Sequence, residues 1–183
     1  MNNTGITILI ALMLSLHACS GGADQSSDGQ TADSSSLPVE LQQGVMTLDL
    51  SAYYLPFSLI VPDSTKGYPE VEDTGYGEYI VRVGDNYQVV IAEGGDLQEK
   101  KAALADDLLF DHEIIEEGSD YILYKSTIKD SFLDPVYHFY AVKQVGGLQF
   151  EFHDYDAEDG YAESVATFML KSVNNLIPKE PAG

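Results

Sequence analysis

Paired apolar segments joined by glycine-rich turns constrain the fold of this chain more than any other feature. In each pair, apolar and polar residues alternate with a period of two, which is typical of a β-strand with one buried face. The clearest pair, residues 135–145 and 148–153, is separated only by Gly146-Gly147, a two-residue hairpin turn. The other predicted strands are residues 45–50, 57–61, 78–83, 87–92, 110–117 and 120–128. The pattern therefore predicts antiparallel hairpins.

Two further segments change to the 3.6-residue period of a helix. Asp96 opens the first, residues 96–109, with Glu99 three positions later, as in a capping box. Asp156 is the predicted N-cap of the second, residues 157–176. We therefore predict an α+β domain, with a mostly antiparallel sheet of about six to eight strands and two main helices.

Three places in this domain resemble the PsbP/Mog-type family of α/β/α sandwiches. Residues 57–62 look like its early strand, the strands around Gly146-Gly147 like its late hairpin, and residues 168–173 like its closing helix. The resemblance spans most of residues 45–177 and implies a binding or assembly-support module, because the family has no shared catalytic residues. A helix that the family carries after its first strands is missing here or is replaced by a sixteen-residue loop, residues 62–77.

The only cysteine stands at the end of a short apolar run near the N-terminus. Residues 5–16 are almost entirely apolar, which fits a secretory signal and is short for a membrane-spanning helix. The sequence Leu-His-Ala-Cys, ending at Cys19, resembles the lipobox of bacterial lipoproteins and implies cleavage and lipidation at that cysteine. Residues 1–18 are then a signal peptide. The alternative is an ordinary secretory signal with an incidental cysteine.

The lipidated Cys19 opens a flexible acidic tether, residues 19–36. Its residues 20–36 are rich in serine, glycine and aspartate and contain no leucine, isoleucine, valine or aromatic residue. Residues 37–183 follow as a single α+β domain. Because more than one acyl chain gives stable anchoring, we expect an outer-membrane lipoprotein of the bacterial envelope, facing the periplasm or the cell surface.

The formal net charge is −21, from nine basic and 30 acidic residues. A chain so acidic repels nucleic-acid phosphates, so no nucleic-acid partner is predicted. Once Cys19 is lipidated, disulfides, zinc–thiolate sites and cysteine nucleophiles are excluded. The predicted partners are the membrane, through the lipid anchor, and another envelope protein, a peptide or a glycan.

A run of carboxylates between the last long strand and the last helix is a candidate cation site. Asp154, Asp156, Glu158 and Asp159 precede Gly160, and calcium prefers several oxygen ligands on a tight turn. The spacing differs from an EF-hand, and an acidic helix N-terminus accounts for the same residues. No cofactor is therefore predicted, and calcium is the alternative.

Three histidines lie in the predicted domain: His112, His138 and His153. Counting outward from the two-glycine turn places His153 opposite Tyr140 and makes His138 its diagonal neighbour, about 7–8 Å away on the same face. One interpretation is a shared metal ion. The other is that these are surface or hydrogen-bonded histidines.

The predicted loop at residues 62–77 is a candidate binding element. Tyr68, Glu70, Asp73 and Tyr76 supply rings and carboxylates suited to a sugar or a peptide, although a mobile surface loop is the alternative. The sequence has no motif of a serine hydrolase, phosphate loop, dinucleotide site or zinc protease, so no catalytic residue is assigned. The predicted function is a membrane-anchored binding or assembly-support module. A carboxylate-dependent hydrolase and a calcium- or metal-binding lipoprotein are the alternatives.

Overall fold

Two antiparallel sheets organise the structure, a computed structural model that describes residues 43–156 and 160–179. The strands are β1 Val45–Asp49, β2 Phe57–Pro62, β3 Pro69–Asp73, β4 Glu78–Val83, β5 Tyr87–Glu93, β6 Phe110–Glu117, β7 Tyr121–Ile128, β8 Val136–Val145, β9 Leu148–Asp154 and β10 Ile177–Pro178. The helices are α1 Leu97–Ala105 and α2 Glu163–Asn174, and a 3-10 turn covers Ser51–Tyr53. Cys19 and the predicted signal peptide and tether lie outside the described residues.

The strand order follows from the hairpins that the sequence predicts. The larger sheet has the order β3-β4-β5-β9-β8-β7-β6, and the smaller one has the order β1-β2-β10. The predicted turns join β4 to β5, β6 to β7 and β8 to β9, each as an antiparallel pair. Pairing of β5 with β9 then joins the two halves of the large sheet.

The α+β class predicted from the sequence is wrong, because the fold is β-rich. Among the described residues, 48% lie in ten strands of two sheets and only 18% are helical. Part of the difference is β3, which lies inside the predicted loop at residues 62–77 and pairs with β4. The helices are also shorter than predicted: α1 ends at Ala105 and α2 begins only at Glu163.

The late start of α2 has a steric cause at Gly160. Gly160 has a φ of +64°, and a Cβ there would lie 2.3 Å from Cγ1 of Val136 in β8. The next residue, Tyr161, accepts a hydrogen bond from the backbone N–H of Tyr137 at 3.0 Å. The chain is therefore held against β8 here, and Asp156, the predicted N-cap, lies before the helix rather than at its start.

The main core lies on one face of the seven-stranded sheet, beneath α2 and β2. Phe57 of β2 packs against Phe150 and Phe152 of β9, with ring centroids 5.3 and 5.5 Å apart. Ser172 of α2 donates to the carbonyl of Ile60, and its hydroxyl lies 2.8 Å from that of Tyr87. This buried pair of contacts ties α2 to both sheets. Among the described elements, α1 is the helix that lies on the opposite face.

Helix α1 covers a limited part of that second face. Its predicted N-cap is confirmed, because the Asp96 side chain accepts from the N–H groups of Gln98 and Glu99. Leu97 then packs with Ile122, Tyr124 and Tyr140 in a small second apolar cluster. Because α1 is only nine residues long, no helix of the described ranges covers the sheet beyond it.

Candidate functional site

A groove of about 770 Å³ lies on the sheet beside α1. Strands β6 to β9 form its floor, and α1 contributes Lys100 and Leu104 to one wall. His112, His138 and His153 all line it. The groove therefore gathers every histidine of the described chain in one place.

His138 is oriented by a nearly buried carboxylate. Asp154, whose side chain is 5% exposed, accepts from Nδ1 of His138 at 2.7 Å and from the backbone N–H of Phe139 at 2.9 Å. The His138 ring stacks on Tyr124 with centroids 5.1 Å apart. An ionised carboxylate only accepts, so the Nδ1 atom carries the proton and the Nε2 atom of a neutral ring is an acceptor.

His153 has the register that the two-glycine turn predicts. It pairs with Tyr140 across β8 and β9, which confirms the prediction that it is the diagonal neighbour of His138. Its Nδ1 lies 2.9 Å from the backbone carbonyl of Asp154, so this nitrogen too is the donor. In the described part of the chain the Nε2 atoms of His138 and His153 have no hydrogen-bond partner, which leaves both available to a ligand in the groove.

His112 is held between a hydroxyl and a carboxylate. Its Nδ1 lies 2.8 Å from Oγ of Ser126, and its Nε2 lies 3.2 Å from Oδ2 of Asp107. The N–H groups of Phe110 and Leu109 hold the pKa of Asp107 at about 2, and His112 adds to the effect. Hydrogen bonds that link a serine, a histidine and an aspartate are typical of serine hydrolases, but Ser126 lies within a strand paired on both sides. Its backbone N–H takes part in the sheet and is not free to stabilise an oxyanion. The contacts with Ser126 and Asp107 therefore hold the ring of His112 in place.

Lys100 places a cation over two tyrosine rings at the groove wall. Its Nζ lies 5.6 Å from the ring centroids of both Tyr124 and Tyr140. Among the described residues it forms no ion pair with a carboxylate. Tyr140 is fixed by donating to Glu151 at 2.5 Å, and burial raises the pKa of Tyr124, which keeps that phenol neutral. The ammonium group is therefore positioned for a ligand by aromatic faces.

The structure brings together only part of the predicted acidic site. Asp154 and Asp156 line the groove, while Glu158 and Asp159 lie outside the described residues. The Asp154 carboxylate is already used by His138 and Phe139. No group of three or more histidine, cysteine or acidic side chains suited to a metal ion is found in the described ranges.

The predicted binding loop is an edge strand and does not reach the groove. Glu70 and Asp73 lie in β3, and the exposed Tyr68 and Tyr76 flank it. Strands β4 and β5 separate β3 from β9, the nearest strand of the groove. Binding by these four residues stays a prediction and would be separate from the groove.

Sequence reasoning missed Lys100, Asp107 and Ser126. His112 and Ser126 face each other across β6 and β7. Counting residues outward from the turn does not pair them, because a register shift between Ile114 and Glu116 displaces the pairing by one residue. No sequence pattern marks Lys100 as a groove residue, because its position in the groove depends on how α1 packs across the sheet.

Comparison with known proteins leaves the geometry as the basis for assigning a function. No protein-family model matches this chain, and no curated protein is significantly similar to it. None of the helices in the described ranges has the length and apolar character needed to cross a membrane.

Proposed function

We propose that this chain is a lipid-anchored lipoprotein of the bacterial envelope whose domain binds a ligand in the groove beside α1. The observation that carries the proposal is the convergence of three histidines and Lys100 on one open cavity. Two of these rings have their protons fixed by hydrogen bonds, and Lys100 lies over two aromatic faces. Groups held in this way bind with a smaller loss of conformational entropy.

The groove favours a ligand with polar groups along an apolar face. It offers an ammonium donor at Lys100, acceptors at the Nε2 atoms of His138 and His153, and aromatic surface at Tyr124 and Phe110. Its volume lies within the range of about 300–1,000 Å³ that is usual for small-ligand sites. A short peptide or an oligosaccharide carries the matching hydroxyl or amide groups.

The anchor is supported by the sequence around Cys19 and the acidic segment after it. The proposed tether, residues 20–36, has seventeen residues, and a flexible chain of this length reaches roughly 20–25 Å, from about 5–6 Å times the square root of its length. We expect Cys19→Ala to abolish incorporation of radiolabelled palmitate and to move the protein from the membrane fraction to the soluble one. Retention in the membrane fraction with unchanged labelling would contradict the lipoprotein assignment.

The groove is tested with two soluble probes, an N-acetylglucosamine tetramer and an alanine tetrapeptide. Binding of either probe is followed by NMR of the imidazole ¹⁵N nuclei, and we expect the Nε2 signals of His138 and His153 to shift. We expect Lys100→Met to weaken binding about tenfold, which is the loss of affinity typical when an important interface residue is truncated. The matched control is Tyr54→Ser, an exposed change after the 3-10 turn, next to the three-stranded sheet.

Two results would count against the groove. One is binding that shifts no histidine signal. The other is equal affinity in the Lys100→Met and Tyr54→Ser proteins. Circular dichroism of both variants checks the fold, which we expect to be retained because the Lys100 side chain forms no ion pair among the described residues and Tyr54 is exposed.

A further inference from the structure

Five large apolar side chains stand in solvent at one end of the seven-stranded sheet. Leu108 and Leu109 precede β6, while Ile128, Phe132 and Leu133 lie at the end of β7 and in the turn after it. All five are exposed, and Phe132 is fully so. We call these five residues the apolar tip. Single exposed apolar residues are ordinary, but a group of five on adjoining loops marks an interaction site.

Hydrogen bonds hold the two loops of the apolar tip together. The backbone N–H of Lys129 donates to the carbonyl of Leu109 at 3.2 Å, and its Nζ donates to the carbonyl of Asp107 at 3.0 Å. Within the second loop, Ser131 donates its N–H to Ile128 and accepts from the N–H of Leu133. The apolar side chains are therefore displayed on a defined backbone, which lowers the entropic cost of docking.

Carboxylates surround the apolar tip. Asp106, Asp130 and Asp134 are exposed, and within the described ranges none of them forms an ion pair. Asp111 lies near Lys129, at 3.8 Å. On a chain with a formal net charge of −21, this rim repels a second copy and anionic lipid headgroups, and it attracts lysine and arginine.

We propose that the apolar tip docks a partner protein through an apolar segment flanked by lysine or arginine residues. An apolar centre with a polar rim is the usual composition of a protein–protein interface. Ile128 and Leu133 also line one end of the groove, so the docked segment lies at the end of the groove without occupying the floor that holds His138 and His153. The apolar tip shares Ile128 and Leu133 with the groove, but its proposed partner is a different ligand and is tested separately.

The test places a photoreactive benzoylphenylalanine at position 132 of the full chain, in the cells that naturally make it. The matched control carries the same group at position 54, where Tyr54 is also exposed but lies after the 3-10 turn, beside the three-stranded sheet. We expect the position-132 protein to form adducts with another protein at about five times the control yield. Mass spectrometry should find lysine or arginine within the crosslinked segment.

A charge-neutralised variant decides whether the acidic rim takes part. Changing Asp106, Asp130 and Asp134 to asparagine should lower the adduct yield at position 132 about tenfold, because the flanking cations lose their partners. These positions are exposed, so the melting temperature should stay near that of the parent protein. Adducts with lipid, adducts with a second copy, yields equal to the position-54 control, or yields unchanged in the triple variant would each overturn the proposal.

Discussion

Replacing Asp154 with alanine tests whether its carboxylate supports both the sheet and the groove. The change removes the acceptor of the Phe139 N–H, and Phe139 is completely buried. A buried donor without a partner costs about 1–3 kcal/mol. The lost bond to His138, whose side chain is 17% exposed, adds about 1 kcal/mol because water can replace part of it. We therefore expect Asp154→Ala to lower the free energy of unfolding by about 2–4 kcal/mol.

Asparagine at the same position separates the two roles. Its amide oxygen can still accept from the Phe139 N–H, so the cost should fall to about 1 kcal/mol. Its amide nitrogen then faces Nδ1 of His138, which must become an acceptor and move the proton to Nε2. We expect ¹⁵N NMR of Asp154→Asn to report this change of tautomer, which turns the groove-facing nitrogen from an acceptor into a donor.

Urea unfolding followed by circular dichroism gives the free energies, and Asp156→Ala is the matched control. Asp156 lies in the same segment and lines the groove, but it is exposed, so its change should stay within about 0.5 kcal/mol of the parent. The reasoning is refuted if asparagine costs as much as alanine at position 154, if His138 keeps its proton on Nδ1 in Asp154→Asn, or if the control is equally destabilising.

Two further predictions concern stability, and both are measured by urea unfolding. We expect Gly84→Ala to cost more than about 2 kcal/mol, because φ is +58° and a Cβ would lie 2.2 Å from the carbonyl oxygen of Lys66. Gly147→Ala, with φ +84° and open space, should cost about 1 kcal/mol, and equal costs would contradict this. Burial raises the pKa of Tyr87 and of Tyr124. Their contribution to the free energy of unfolding is therefore fully present below the unfolded pKa of about 10 and is lost as pH rises above it. The loss is up to about 1.4 kcal/mol per pH unit for each tyrosine. Tyr87→Phe should flatten that slope, and an unchanged slope would exclude Tyr87 as a contributor.

The hairpins could be predicted from the sequence because their information is local. Gly146 and Gly147 both have positive φ, which a two-residue turn requires and which glycine adopts without strain. Once the turn is fixed, the period of two sets the register, and the pairing of Tyr140 with His153 follows. The N-cap at Asp96 can be predicted for the same reason, because its side chain accepts from residues that are close in the sequence.

Long-range packing decided what the sequence could not show. The contact of Gly160 with Val136 delays α2, although the acidic residues before it are typical of a helix start. Strand β3 forms because it pairs with the edge of β4, although its own residues resemble a loop. The groove likewise depends on α1 lying across the sheet and bringing Lys100 over Tyr124 and Tyr140.

The two edge strands of the large sheet, β3 and β6, determine whether another molecule can add a strand to it. An outer strand offers free N–H and C=O groups to which a strand of another molecule can add. Strand β3 carries Glu70, Glu72 and Asp73, and β6 carries Asp111, Glu113, Glu116 and Glu117. Strand β6 is further interrupted by its register shift. Adding a strand at either border would bring like charges together and compete with existing ion pairs, such as that of Glu113 with Lys125. The carboxylates on β3 and β6 therefore disfavour edge-to-edge polymerisation of this protein.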